Sequence, residues 1–370
     1  MQAVLLSTAE SVSAHLDVAR ASFLRVTLGS DFLRRVFCNR AHRLLFLFTL
    51  ALIFNLTASV LFPLWVLILG PMVYGVPHIF ASMRYVHYAV ADVDQIKETR
   101  LRLNTFRFLT AVWTLVTVFR LLTDTRFGYS ALAGQNPMLP ELISLGVTFA
   151  GCAYLYRKSL LRVTLGFLLL APFLWAAWVL PLATTGALIL IHNVIGYLYW
   201  FQSAKTLQEK KTALYCVSLF VIANALIFTG AFDFAYKAFS PAGQLRWANL
   251  EYSELGKLIA PWSESYVTWF HCVVAYAFGQ SLHYFVWLKA IPDQNHHHDV
   301  PTSFKQSYKL MLSDFGVSLG KWVIAGCLAS VAVWLFMRMP EARVVYFALA
   351  AYHGYLEIAG LSLSALKKWA

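Results

Sequence analysis

Five histidines lie deep inside long apolar stretches of this 370-residue chain: His78 in GVPH, His192 in LIH, His271 in WFH, His283 in SLH and His353 in YHG. An imidazole surrounded by hydrocarbon or protein must find a partner, so such a residue is read first as functional. Imidazoles that converge on one point bind a transition metal. A set without thiolates suits iron, zinc or copper rather than magnesium or calcium, and an open position suits oxygen chemistry on ferrous iron. Glu357 follows His353 by four residues, on the same helix face. A carboxylate in hydrocarbon is costly unless paired, so Glu357 reads as the partner that orients a ligating imidazole or as a ligand itself. Ser82, Asn193, Gln202 and Gln280 stand near these positions as further hydrogen-bonding groups.

The elements that carry these residues follow from composition. Hydrophobic residues make up 59% of the chain and charged residues 13%, and the mean hydropathy is +0.61. That balance places the chain among polytopic membrane proteins, an all-α transmembrane helix bundle. Apolar runs between charged loops predict about ten spans, at 44–61, 63–91, 105–122, 141–156, 160–180, 183–203, 212–231, 262–288, 318–338 and 344–366. With the amino terminus in the cytoplasm, Arg34, Arg35, Arg40 and Arg43 lie inside, and basic clusters recur on that side at Lys97, Arg157, Lys205, Lys289, Lys305 and Lys367. Both termini then face the cytoplasm, and the expected location is a bacterial-type inner membrane. One transmembrane domain, 44–370, follows an amino-terminal region, 1–43. Within that region, residues 16–41 interleave Phe23, Phe32, Leu33, Val36 and Phe37 with arginines, the pattern of a helix lying on the membrane surface.

In this topology the helices bearing the five histidines all run from outside to inside. His78, His192 and His353 each lie roughly fourteen residues before a basic cytoplasmic end, which puts them at one depth. Counted the same way, His271 lies about 6 Å further out and His283 about 12 Å further in. Depth therefore favours His271 as the fourth member. The two are twelve residues apart on one helix, about 120° apart around its axis, so they grip one ion together only if the helix kinks. His78 and His87 are about half a turn out of phase, and Pro77 is placed to distort the helix at His78.

The remaining features read as structure. The net charge of +12 is spread over the ends of apolar segments, a membrane pattern rather than a nucleic-acid stripe. The five cysteines, Cys38, Cys152, Cys216, Cys272 and Cys327, have no paired spacing and read as small core residues. No signal peptide is visible in the first forty residues. The outer loop 232–261 reads as a cap with a turn at 240–243, and His296, His297, His298 and Asp299 as a solvated loop.

The order and setting of the histidine motifs resemble the Brp/Blh-type membrane β-carotene dioxygenases, which cleave β-carotene centrally with molecular oxygen to give retinal. GVPHIF at 75–80 matches that family's first histidine segment, LILIHNVIG at 188–196 its second in character, SLHYFVW at 281–287 the tail of its third, and YHGYLE at 352–357 stands in the place of its fourth. The likeness in architecture covers 60–370, with some thirty residues in motifs. The sequence departs from the family at Gly279, where the family has a histidine four residues before its counterpart of His283. It departs again at Ser82, where an acidic residue commonly follows the first histidine. The resemblance implies a non-haem Fe(2+) held by histidines, a hydrophobic tunnel open to the bilayer, and oxidative cleavage of an apolar polyene.

The expected function is thus an iron-dependent membrane dioxygenase acting with molecular oxygen on a carotenoid or another lipid. Its metal ligands would be His78, His192, His353 and one or both of His271 and His283, with Glu357 beside them. Three other readings compete. A di-iron hydroxylase or desaturase uses clustered HxxHH boxes, and none occurs here. A b-type cytochrome uses paired histidines across helices, and a histidine-relay transporter uses a polar path, for which intramembrane acids other than Glu357 are scarce.

Overall fold

The structure, a computed structural model, describes residues 2–91, 96–123, 139–155, 159–179, 181–235, 244–245, 250–260, 262–295, 303–310 and 352–358, with isolated positions between 312 and 350. The chain is helical throughout these stretches. The one extended piece among them is a two-residue antiparallel ladder, Gln244–Leu245 against Leu250–Glu251, in the expected outer loop. The HHHD run at 296–299, the turn at 240–243 and most of the expected span 318–338 lie outside the described residues.

Three of the long helices start where the sequence provides a cap. The Asn39 side chain accepts from the His42 backbone N–H at the head of Arg40–Leu61. Thr206 and Glu209 form a reciprocal capping box at the head of Leu207–Phe228. Ser265 accepts from Thr268 N–H at the head of Tyr266–Phe285. These bonds satisfy N–H groups that the first turn leaves without intrahelical partners. The cap at Ser265 also sets a boundary, so that 262–265 precede the helix expected over 262–288.

Three helices among the described residues are long and apolar enough to cross a membrane: Arg40–Leu61, Pro63–Tyr85 and Leu207–Phe228. Their outward faces expose Leu50, Ile53, Phe54, Val221 and Ile222. Apolar faces of that extent are stable against lipid rather than water. The second of these helices is continuous through a π-helical turn, Pro71–Gly75, into Val76–Ala91. The distortion expected at Pro77 is this π turn, which ends two residues before the proline in a helix that runs on through it.

The helix Tyr266–Phe285 is the axis of the molecule. It is buried almost all round from Trp269 to Tyr284 and packs against Arg40–Leu61, Pro63–Gly70, Pro181–Ser203, Leu207–Phe228 and Tyr252–Ile259. Aromatic rings fill the seams. Phe48 meets Tyr197, Trp200 and Phe285, and Phe220 stacks on both Tyr197 and Phe278. Such offset and edge-to-face pairs add roughly 0.5–1.5 kcal/mol each beyond burial of area.

At the basic end the packing is ionic. Arg43, fully buried, donates to both oxygens of Asp293 at 3.2 and 3.3 Å and to the Phe37 carbonyl at 2.7 Å. Arg40 pairs with Glu209, and Lys289 with Asp293 at 3.7 Å. These bonds tie the start of Arg40–Leu61 to Ile291–Asn295, which a second π turn, Val286–Ala290, joins to the central helix. The surface helix expected over 16–41 is split into Gln2–Thr27 and Asp31–Cys38. Phe23 and Phe32 are exposed, whereas Phe37 turns inward. The Asp17 carboxylate accepts from the backbone N–H groups of Phe304 and Lys305 and so caps the helical residues 304–310.

Candidate metal centre

Four histidines meet inside the bundle. One ligating atom from each of His78, His192, His283 and His353 lies within 4.8 Å of the others. They come from four separate helical segments: Val76–Ala91, Pro181–Ser203, Tyr266–Phe285 and residues 352–358. The ring centroids are 4.5 Å apart for the tilted pair His192 and His283, and 4.6 Å and 5.0 Å for the edge-to-face pairs His78 and His353, and His192 and His353. His78, His283 and His353 are sealed from solvent. The His192 side chain keeps 17% of its surface accessible and so marks the open side of the cluster.

Hydrogen bonds assign the protons on two of the rings. His78 Nδ1 lies 3.1 Å from the Tyr74 carbonyl, which can only accept. The proton is therefore on Nδ1, and Nε2 presents a lone pair; that nitrogen is buried without a hydrogen-bond partner. Ser82 Oγ gives its single hydrogen to the Ile79 carbonyl at 3.0 Å. It must then accept from His353 Nδ1, 2.7 Å away, which leaves His353 Nε2 bare as well. Outer partners of this kind fix the tautomer and orientation of metal-binding imidazoles. In His283 both ring nitrogens lack a hydrogen bond. Close backbone approach makes room for the other rings: a Cβ at Gly196 would come within 3.2 Å of His283 Nδ1, and one at Gly354 within 3.4 Å of His192 Nδ1.

Glu357, fully buried, points into this cluster. Its carboxylate lies 2.8 Å from His353 Nε2, 3.3 Å from His192 Nδ1 and 3.9 Å from His283 Nε2. The nitrogen of His353 that it meets is the inward one, so orientation of that ring falls to Ser82 and not to Glu357. The residues fit a transition metal. Bare imidazole nitrogens and both carboxylate oxygens converge in a sealed site without hydrogen-bond partners, and orphaned acceptors at such separations repel unless a cation lies between them. Two donors each about 2.1 Å from one ion stand about 3 Å apart when adjacent and about 4 Å when opposite, and the distances from Glu357 fall in that range.

His271 stands elsewhere. Its Nε2 bonds Asp233 Oδ1 at 2.7 Å, beside the rings of Phe228 and Phe270. Asp233 is presented by the turn after Leu207–Phe228, where Gly230 has φ +77° and a side chain would strike the Asp233 carboxylate. The depth argument for His271 fails because the central helix does not stop at Lys289. It continues to Asn295, with Lys289 paired inside it to Asp293. Counted from Asn295, His283 is twelve residues from the end, near the fourteen of the other three. The phase argument holds, since only one of the two faces the cluster. The side chain of His87 lies outside the described residues; His15 is exposed and bonds the Ser11 carbonyl.

At Gly279, where the sequence departs from the family, a Cβ would rest in ordinary contact with Asn193, 3.4 Å from its Nδ2. Sequence reasoning did not find Tyr346, whose hydroxyl joins Tyr284 and Gln280 in a buried network at 2.6–2.9 Å beside His78. No short motif marks a tyrosine that acts through another helix. Among the cysteines, Cys216 and Cys272 are buried free thiols and Cys38 is exposed. No family model, no curated protein and no solved structure matches the chain.

Proposed function

We propose that this protein is an integral membrane oxygenase that holds one Fe(2+) with His78, His192, His283 and His353 and oxidatively cleaves an apolar polyene of the carotenoid class. One observation carries the reading: four imidazoles from four helical segments present their ligating atoms to one sealed point, without thiolates. When bound, ferrous iron would supply the activation of molecular oxygen. The protein's own groups do the rest. Tyr74 and Ser82 hold the rings of His78 and His353 in the tautomer that presents Nε2 inward. The rings of Tyr284 and Trp287, beside His78 and His283, shield the cluster from water. Access to the cluster lies at His192, the one of the four rings with part of its side chain accessible. A polyene of about 30 Å matches the hydrocarbon thickness and reaches such a site without leaving lipid. The ten-span topology, cytoplasmic termini and bacterial inner membrane belong to this reading, as does the kinship with Brp/Blh-type dioxygenases.

The geometry weighs against the rivals. Rings packed at 4.5–6.1 Å leave no slot for a porphyrin plane. One carboxylate among four imidazoles is a donor set for one ion rather than two. The test is expression in a bacterial host that accumulates carotenes, with metal analysis of the purified protein. Loss of colour, an aldehyde product and about one iron per chain are expected, all abolished in His353→Ala. Intact carotene with iron bound would move the substrate to another lipid, and a strong Soret band would overturn the non-haem assignment.

A further inference from the structure

We infer that Glu357 is itself a ligand of the ion, so that the centre is built from four imidazoles and one carboxylate; the inference rests on the metal site proposed above. A carboxylate at this depth has a cost of several kcal/mol unless its charge is answered. Among the described residues the ion pairs of Glu357 are with His192, His283 and His353, with no lysine or arginine. An imidazole answers a carboxylate only by offering a proton. A neutral His353 has none to offer from Nε2, because its one proton lies on Nδ1 and is given to Ser82; only an imidazolium would carry a second. Two acceptors thus face each other at 2.8 Å in a dry interior. A divalent cation between them removes the conflict and takes half its charge from Glu357.

The arrangement has a consequence for the substrate. Five protein donors leave a six-coordinate ion one position, enough for a diatomic gas and too little for a substrate that must also bind through oxygen. The substrate is then held by apolar contact alone, which suits a hydrocarbon and disfavours a chelating diol or acid.

The competing explanation is that Glu357 is a neutral acid donating to His353 Nε2. Glu357→Gln separates the two, since glutamine keeps the shape and a hydrogen-bond donor but supplies no anion. The probe is Co2+, loaded without oxygen into the full chain in lipid nanodiscs. The wild type should bind about one Co2+ with the weak visible bands of five or six donors. Glu357→Gln should bind at least about tenfold more weakly and show the stronger bands of a four-donor site. An unchanged spectrum and affinity in Glu357→Gln overturns the inference and leaves the metal site standing. Failure of the wild type to bind Co2+ or Fe2+ overturns the metal site itself. Should Glu357→Gln not fold, the infrared spectrum of the wild type decides: a carboxylic C=O stretch that persists on Co2+ loading overturns the inference, and an ionised carboxylate band that shifts on loading supports it.

Discussion

His271 and His283 occupy one helix, twelve residues apart, and live in opposite circumstances. His271 has a complete local answer, an aspartate at 2.7 Å supplied by a glycine-bearing turn. His283 has none: both of its nitrogens are buried without a hydrogen bond, among three other imidazoles and a carboxylate. A satisfied histidine is finished structure, whereas a cluster of unsatisfied ones is a structure that awaits something. The distinction is invisible to burial alone, since both side chains are largely enclosed.

The comparison can be broken most forcefully by exchanging the two roles. His283→Ala should lower bound iron at least about tenfold and abolish oxygenase activity, while His271→Ala should leave iron content unchanged; loss of metal from His271→Ala alone would invert the assignment. Next in size is Ser82→Ala, which removes the acceptor of His353 Nδ1. It should weaken metal binding about 10–100-fold and cost about 1–3 kcal/mol for the orphaned donor, readable as weaker metal binding in competition with a chelator and a lower melting temperature. Asp233→Ala should lower stability by about 1 kcal/mol, the worth of one hydrogen bond, and leave metal affinity untouched. A metal defect in that variant would tie the outer pair to the centre.

The smallest effect belongs to the surface, at Asp17. Burial pushes its carboxyl up, but the backbone N–H groups of Lys305 and Phe304, with Ser303 and Arg20, outweigh that and hold it below its ordinary value of 3.8. A group lowered on folding contributes stability above its unfolded value and loses that contribution as pH falls through its folded one. Melting temperature should therefore drop on acidification below about pH 4 by slightly more in the wild type than in Asp17→Asn. Equal drops would show that this cap adds nothing.

The sequence made much of the site legible, because charge and imidazole are conspicuous against hydrocarbon. His78, His192, His353 and Glu357 stand out on that contrast, and the helix period places His271 and His283 on different faces. What could not be read was where the helix ends. Lys289 looks like a membrane boundary, yet its charge is answered one turn later by Asp293 and the helix runs on. The amino-terminal pattern over 16–41 likewise could not show the break around Gly29 and Ser30. Partners on other helices, such as Tyr346 for Tyr284, leave no local signature at all.

The ligating residues are far apart along the chain: His353 follows His78 by 275 positions. At about 5–20 residues per second, synthesis of that interval takes about 15–55 seconds. During that time the first imidazole is already in the membrane and the last does not exist. The cluster is therefore an assembly product, complete only when its final helical segment docks, and any ion would enter it after that step. The bonds from His78 to the Tyr74 carbonyl and from Ser82 to the Ile79 carbonyl are local to their own helix. They let the earliest piece keep its ring and its hydroxyl in place while it waits.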